Sequence, residues 1–153
     1  MFVRNIRIGV GICVHNEEEY IEYSLRSIYD FADAIAVSVN TGVPWSGRAE
    51  PIDHTLQLVQ AFPDPQKKIC ISTGEWQDEI SQRNDNADLL REAVNYYMIV
   101  DADEIYGKDD LERIRKFVAW RPYIGQFRIR MNTYWKINPV YRIDPPEPLK
   151  AYF

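Results

Sequence analysis

Three carboxylates follow directly on an apolar, aromatic-rich run in the middle of the chain. Residues 95–100 have the length of a strand, and Asp101, Asp103 and Glu104 come straight after them. A near-continuous run of Tyr, Ile and Val is typical of a strand buried on both faces of a parallel sheet. Because an unpaired carboxylate is costly to bury, these acids must emerge at the carboxyl end of the strand. In open α/β sheets, ligands bind at that end.

The spacing of the first two acids indicates a kind of chemistry. In an extended segment, Asp101 and Asp103 point to the same side, about 7 Å apart along the backbone. That separation suits a divalent cation shared with a ligand, with one acid on the ion and the other reaching a hydroxyl. Mg²⁺ and Mn²⁺ prefer oxygen ligands, and Mg²⁺ is typically held by one or two carboxylates plus substrate phosphates. The alternative is a solvated acidic turn, and Asp-x-Asp alone does not decide between them.

Composition limits the class of protein. The 153 residues are expected to form one domain, 1–153, and the fractions of 46% hydrophobic and 27% charged residues are typical of a soluble globular chain. A net charge of -5 argues against nucleic acid or an anionic membrane as partner. No signal peptide or membrane-spanning stretch is recognisable, which favours a cytoplasmic protein. Cys13 and Cys70 fall inside predicted strands, where we expect small buried side chains.

The first strand, predicted over residues 6–14, leads into an acidic turn. Asn16 and Glu19 have the spacing of a helix capping box. The glutamates at 17–19 would fill the first helical turn with negative charge, which excludes a phosphate-binding loop there. The helix after them carries one apolar face, formed by Ile21, Leu25 and Ile28.

Alternating strands and helices are predicted along the rest of the chain. Further strands are expected at 33–40, 68–73 and 126–132, with helices begun by Asp53, by Glu79 and by Asp109 or Asp110. The helix over 79–94 would turn one face inward, namely Ile80, Asn84, Ala87 and Val94. The β-α-β-α-β-α-β-α-β order predicts an α/β fold with a mostly parallel sheet flanked by helices. The half-exposed last strand would be an edge that pairs with another subunit.

Several of these segments together resemble a known family. Residues 14–18 resemble the "hNEe" step after a first strand, residues 53–55 resemble "D-x-T", residues 76–84 resemble "W-x-D-D-F-x-x-x-R-N", and residues 100–104 resemble "lDaDE". In this order and spacing they resemble the family 2 glycosyltransferases, which have the GT-A fold. Residues 33–39 are similar to that family's second strand.

The resemblance implies a role for each matching residue. The first turn and the end of the second strand would hold the nucleotide, through Val14, His15, Glu17 and Asn40. Arg83 would bind the base, ribose or diphosphate. Asp103 would be the main ligand of Mn²⁺ or Mg²⁺, and Asp101 would bind the ribose or sugar or share the metal.

The chain departs from the family pattern in two places. Its second strand ends in Asn40-Thr41-Gly42 rather than in an acid with a Gly-Ser turn, although an amide can still contact a base edge. Only 50 residues follow Asp103, so the acceptor-side half is expected to be short or missing, and the catalytic base is unknown. Asp144 and Glu147 are the only carboxylates in the proline-rich tail.

The resemblance implies a glycosyltransferase that moves a sugar from a nucleotide-diphosphate donor to an unidentified acceptor, which could be a glycan, a protein or a small molecule. A second possibility is a non-catalytic nucleotide-binding or assembly module. The short acceptor side also leaves open an oligomer or a partner chain. A third is a nucleotidyltransferase, which would need a glycine-rich, basic loop after the first strand. The acidic residues 15–19 argue against that third possibility.

Overall fold

The computed structural model describes residues 5–45, 47, 50–121 and 123–129. In these residues, strands and helices alternate in the order β1 Ile8–Val14, α1 Ile21–Ile28, β2 Ala34–Asn40, α2 Thr55–Ala61, β3 Ile69–Gly74, α3 Glu79–Leu90, β4 Tyr96–Asp101 and α4 Lys108–Trp120. The chain divides into two compact units, Met1–Ala119 and Trp120–Phe153. The sheet lies in the first. In the second, Trp120 and Tyr123 are exposed.

The strands form one parallel sheet in the order β3-β2-β1-β4. The predicted α/β class, a parallel sheet flanked by helices, is therefore confirmed. The predicted strand over 126–132 is not found in its described part, because residues 126–129 have no regular secondary structure. Residues 130–132 lie outside the described residues.

One face of the sheet carries the apolar core. Alternate residues of β1, among them Val10 and Ile12, are fully buried, and so are the predicted helix-face residues Ile21, Leu25 and Ile28. Their partners across the sheet, such as Val37 and Val100, are buried as well. Burial of each such side chain stabilises the fold by roughly 1.5–3 kcal/mol.

The other face is packed closely against α3. A side chain at Gly9 would meet Leu90 of α3 and collide with Val94 just after the helix, and one at Gly11 would collide with the hydroxyl of Tyr97. These two glycines therefore let helix and ring approach β1, and they do not form a phosphate loop. Burial raises the pKa of Tyr97 to about 12.

The prediction for the buried face of α3 was wrong. Ile80 is exposed, whereas Gln82, Asn86 and Leu90 are buried. Gln82 Nε2 donates to the carbonyl oxygen of Ser38 at 2.7 Å, and Asn86 Nδ2 donates to that of Ile12 at 3.0 Å. Hydrophobic periodicity misses this face because two of its members are amides that bind strand carbonyls.

Two predictions of burial were also wrong, one for the cysteines and one for the run on β4. Among the described residues β3 and β4 are edge strands, whereas β1 is an inner strand. Cys70 on β3 is exposed, and Cys13 on β1 is only partly buried. On β4, Met98 and Val100 are buried but Ile99 is exposed. The apolar run therefore belongs to a strand covered mainly on one face.

Candidate functional site

The topology places one crevice at the carboxyl ends of β1 and β4. The chain runs outward from β1 through β2 to β3, and then crosses back to place β4 on the other side of β1. Ligands of open α/β sheets bind at such a reversal of strand order. Cys13 is paired with Asp101 in the sheet register, so the acidic motif begins directly beside the end of β1.

A pocket of about 250 Å³ lies at this edge of the sheet. Four sequence-predicted residues line it, which are Glu17, Arg83, Asp101 and Asp103. The remaining lining residues are Cys13, Trp45, Glu79 and Ala102. Three separate β-to-α connections thus contribute to one small, mostly acidic space.

The acidic motif forms a turn. The prediction from its spacing, that it is an extended segment, was wrong. The amide of Glu104 donates to the carbonyl oxygen of Asp101 at 3.0 Å, and Glu104 Oε2 accepts from the amide of Asp101 at 3.1 Å. Glu104 also accepts from the hydroxyl of Tyr106, and burial raises its pKa. Ala102 is buried, while Asp101 and Asp103 are exposed. Glu104 therefore braces the turn that presents the two aspartates.

A helix was predicted to begin in the turn after β1, and this prediction was wrong. Helix α1 begins at Ile21, and Asn16 has φ +53°, a left-handed conformation that Asn tolerates better than most residues. Asn16 Oδ1 accepts from the amide of Asp53 at 3.0 Å, and Asn16 Nδ2 donates to the carbonyl oxygen of Pro51 at 2.8 Å. Asn16 therefore ties the turn to the chain before α2 instead of capping α1.

Further hydrogen bonds join the same two segments. The amide of Glu17 donates to Thr55 Oγ1 at 2.7 Å, and the amide of Glu18 donates to Asp53 Oδ2 at 3.0 Å. Asp53 Oδ1 accepts from the amide of Thr55 at 2.8 Å. We call this set, Asn16, Glu17, Glu18, Asp53 and Thr55, the turn clamp. It fixes the backbone from which the Glu17 side chain enters the pocket.

Glu17 experiences the excess negative charge of the site. Partial burial, followed by the charges of Asp103, Asp53 and Asp101, raises its pKa from 4.5 to about 7. Burial is the largest of these causes, and the neighbouring carboxylates add to it.

Arg83 supplies the positive charge in the pocket lining. Its Nε donates to Glu79 Oε1 at 2.6 Å, and its Nη2 donates to Asp101 Oδ1 at 2.9 Å. The guanidinium thus bridges α3 and the end of β4. Asp101 is partly neutralised by this pair, whereas no ion pair is seen for Asp103 within the described part of the chain.

His15, Val14 and Asn40 stand outside the pocket lining. His15 Nδ1 lies 3.0 Å from the carbonyl oxygen of Asn40, and Nε2 is buried without a hydrogen-bond partner among the described residues. The carbonyl can only accept, so Nδ1 is the donor. The Val14 side chain is in the core and does not line the pocket.

Asn40 is turned into its own loop. Its side chain is 2% exposed, and Oδ1 accepts from the amide of Gly42 at 2.9 Å while Nδ2 lies 3.4 Å from the carbonyl oxygen of Val43. In this arrangement the amide orders the loop and does not face the pocket.

Glu79, Cys13 and Trp45 line the pocket without having been predicted as site residues. Glu79 was detectable, because an acid four positions before Arg83 on a helix is expected to pair with it. Cys13 follows from sheet register, which the sequence does not reveal; burial raises the pKa of its thiol. Asp144 and Glu147 lie outside the described residues.

A divalent cation fits this donor set in a limited way. No group of three or more His, Cys, Asp or Glu side chains converges on a metal position in the described ranges. Asp101 and Asp103 offer carboxylate oxygens at one pocket, and their charges contribute, after burial, to the raised pKa of Glu17. This matches an ion that takes one or two carboxylates and completes its shell with ligand oxygens.

No helix in the described residues is long and apolar enough to span a membrane.

No protein-family model matches the chain, and no curated protein sequence does. Among solved structures, the chain is similar to S. aureus TarS, a glycosyltransferase. The identity is 18% and the TM-score 0.49 for both the TarS 1-349 structure and the TarS structure, with 76% of this chain covered. The match spans 33% and 20% of those chains. Similarity at this level assigns neither a family nor an activity.

Proposed function

We propose that the chain is a GT-A-type domain that binds a nucleotide-diphosphate sugar with Mn²⁺ or Mg²⁺ and transfers the sugar to an acceptor. One observation carries the proposal: Glu17, Arg83, Asp101 and Asp103, from three separate motifs, line one pocket at the reversal of strand order. A chance set of solvated acids would not be expected to meet at the edge where ligands of such sheets bind.

Each lining residue has a role suited to its chemistry. Asp103 is the exposed carboxylate without an ion pair among the described residues, so it is the main cation ligand. Arg83 is held by Glu79 and Asp101 at the pocket wall, from which its planar donors can bind a diphosphate. Asp101 accepts from ribose or shares the cation. When bound, the cation supplies Lewis-acid stabilisation of the departing diphosphate.

Titration calorimetry with UDP, GDP and CDP, with Mn²⁺ present or chelated, tests the binding claim. We expect one nucleotide to bind in a Mn²⁺-dependent way, and Asp103→Asn to weaken it at least tenfold. The matched control is Asp88→Asn, which removes the same charge from an exposed pair with Arg91 on α3. Equal binding by both variants would contradict the assignment of Asp103.

Turnover separates transfer from the alternative, a non-catalytic nucleotide-binding or assembly module. Both would bind the nucleotide, but only a glycosyltransferase releases nucleoside diphosphate from the matching nucleotide-sugar, slowly to water and faster with its acceptor. We expect release that Asp103→Asn abolishes and Asp88→Asn preserves. Tight binding with no release from any donor would favour the non-catalytic module.

A further inference from the structure

The loop after β2 presents an aromatic ring to the acidic pocket. Trp45 lines the pocket and is 43% exposed. It has no aromatic-ring or cation–π contact among the described residues. An exposed indole on a pocket wall has apolar surface that a ligand ring can cover.

The position of Trp45 is set by hydrogen bonds on both sides of it. Before it, the buried Asn40 side chain accepts from the amide of Gly42 and approaches the carbonyl oxygen of Val43. After it, the amide of Gly47 donates to the carbonyl oxygen of Pro44 at 2.8 Å, which closes a tight turn around Trp45. Gly47 has φ +74°, a conformation that favours glycine. The ring is therefore carried by a shaped loop.

The remaining walls determine which ring suits Trp45. Glu17, Asp101 and Asp103 share the pocket with it. Carboxylate oxygens accept hydrogen bonds, so they suit a ligand edge made of hydroxyl donors. A nucleobase edge mixes N–H donors with carbonyl or ring-nitrogen acceptors, whereas every hydroxyl on a sugar edge can donate. An apolar C–H face combined with a hydroxyl edge is the chemistry of a sugar ring.

We propose that Trp45 is the stacking platform for a sugar ring whose hydroxyls donate to Glu17 and Asp101. The inference rests on the proposed function in taking that ring from the nucleotide-sugar donor. Two rings of such a donor share this chemistry, the ribose and the transferred sugar. Trp45 would then contribute to recognition of the donor without taking part in bond cleavage.

Calorimetry in the presence of Mn²⁺ tests the platform with UDP, UDP-glucose and inorganic pyrophosphate, which has no ring. We expect Trp45→Ala to lower the affinity for UDP-glucose about tenfold and to leave the affinity for pyrophosphate unchanged. Trp45→Phe should keep most of the affinity. Trp120→Ala, at a 77% exposed position on α4, is the control. If Trp45→Ala lowers the affinity for UDP as much as that for UDP-glucose, the stacked ring is the ribose. If the affinity for UDP is unchanged, the stacked ring is the transferred sugar.

Repeating the titration with GDP and CDP guards against a stacked base. A loss with Trp45→Ala that is larger for GDP than for CDP would overturn the proposal, because it would assign the ring to the base. Unchanged UDP-glucose affinity in Trp45→Ala would also overturn it while leaving the proposed function intact.

Titration of methyl glucoside, followed by the indole N–H signal of Trp45 in NMR spectra, does not depend on nucleotide binding. Trp45→Phe identifies that signal by its loss. A saturable shift of this signal in a chain that binds no nucleotide would support the platform and contradict the proposed function. No shift in such a chain would overturn both.

Discussion

The two sides of the pocket are built in different ways. On the β1 side, the turn clamp fixes the backbone through hydrogen bonds among Asn16, Asp53, Thr55 and the amides of Glu17 and Glu18. On the β4 side, Asp103 is exposed and Asp101 has one ion pair, with Arg83. Both turns are held by hydrogen bonds, the second through Glu104, but only the second presents two exposed aspartates to a ligand. Stability and binding should therefore respond differently to mutation on the two sides.

The largest expected effect on stability is that of Asn16→Ala. The variant loses two side-chain hydrogen bonds, worth about 1 kcal/mol each, and places Ala at a positive φ. We expect the free energy of unfolding to fall by about 2–3 kcal/mol, measured by urea denaturation. Glycine adopts a positive φ readily, so the free energy of unfolding should fall by about 1 kcal/mol less in Asn16→Gly than in Asn16→Ala. Equal losses for both variants would show that the positive φ contributes nothing.

A smaller effect is expected from Glu17→Gln, and it should depend on pH. Because the pKa of Glu17 is raised from 4.5 to about 7 in the folded chain, the folded state binds the proton more tightly than the unfolded state. The free energy of unfolding of wild type therefore falls as pH rises through this interval. Gln cannot ionise, so the variant should gain on wild type by about 1 kcal/mol between pH 5 and pH 8, after allowance for solvent screening of a half-buried group.

Denaturation curves of both proteins at several pH values measure this difference. A gap that is constant from pH 5 to pH 8 would mean that Glu17 does not titrate in this range.

The smallest expected effect on stability belongs to Asp103→Asn on the open side. Its side chain is exposed, so the free energy of unfolding should change by less than about 0.5 kcal/mol. The pKa of Glu17 should move downward, because after burial the charge of Asp103 is the largest cause that raises it. Carbon NMR of the Glu17 carboxyl group measures this shift, with Asp88→Asn as the control. An unchanged pKa would mean that the two sides are electrostatically independent.

The sequence predicts β1 to β4 and the acidic end of β4 well, because apolar runs and turn residues act locally, whereas the strand predicted over 126–132 is not found in its described part. Ile21, Leu25 and Ile28 form the expected buried face for the same reason. The buried face of α3 could not be predicted, since Gln82 and Asn86 are buried only because strand carbonyls lie opposite them. The edge position of β4, and with it the exposure of Ile99, likewise depends on strand order.

The predicted site residues fall into two groups, those placed by the order of the strands and those placed by contacts with nearby loops. Glu17, Arg83, Asp101 and Asp103 follow strand ends or lie on the helix between them, so strand order alone brings them to one pocket. Asn16 and Asn40 instead form contacts with neighbouring loop backbone. A capping-box spacing for Asn16 does not reveal that Asp53 competes for its side chain.

The most direct test of the central claim locates the cation and the nucleotide together on the two sides of the pocket. Amide NMR spectra would be recorded with Mn²⁺ and each of UDP, GDP and CDP. The account predicts that paramagnetic broadening centres on the amides of residues 101–104, with weaker broadening at residues 14–17 and at Arg83. Broadening centred on other exposed acids, such as Asp109 and Asp110, with none at residues 101–104, would contradict it.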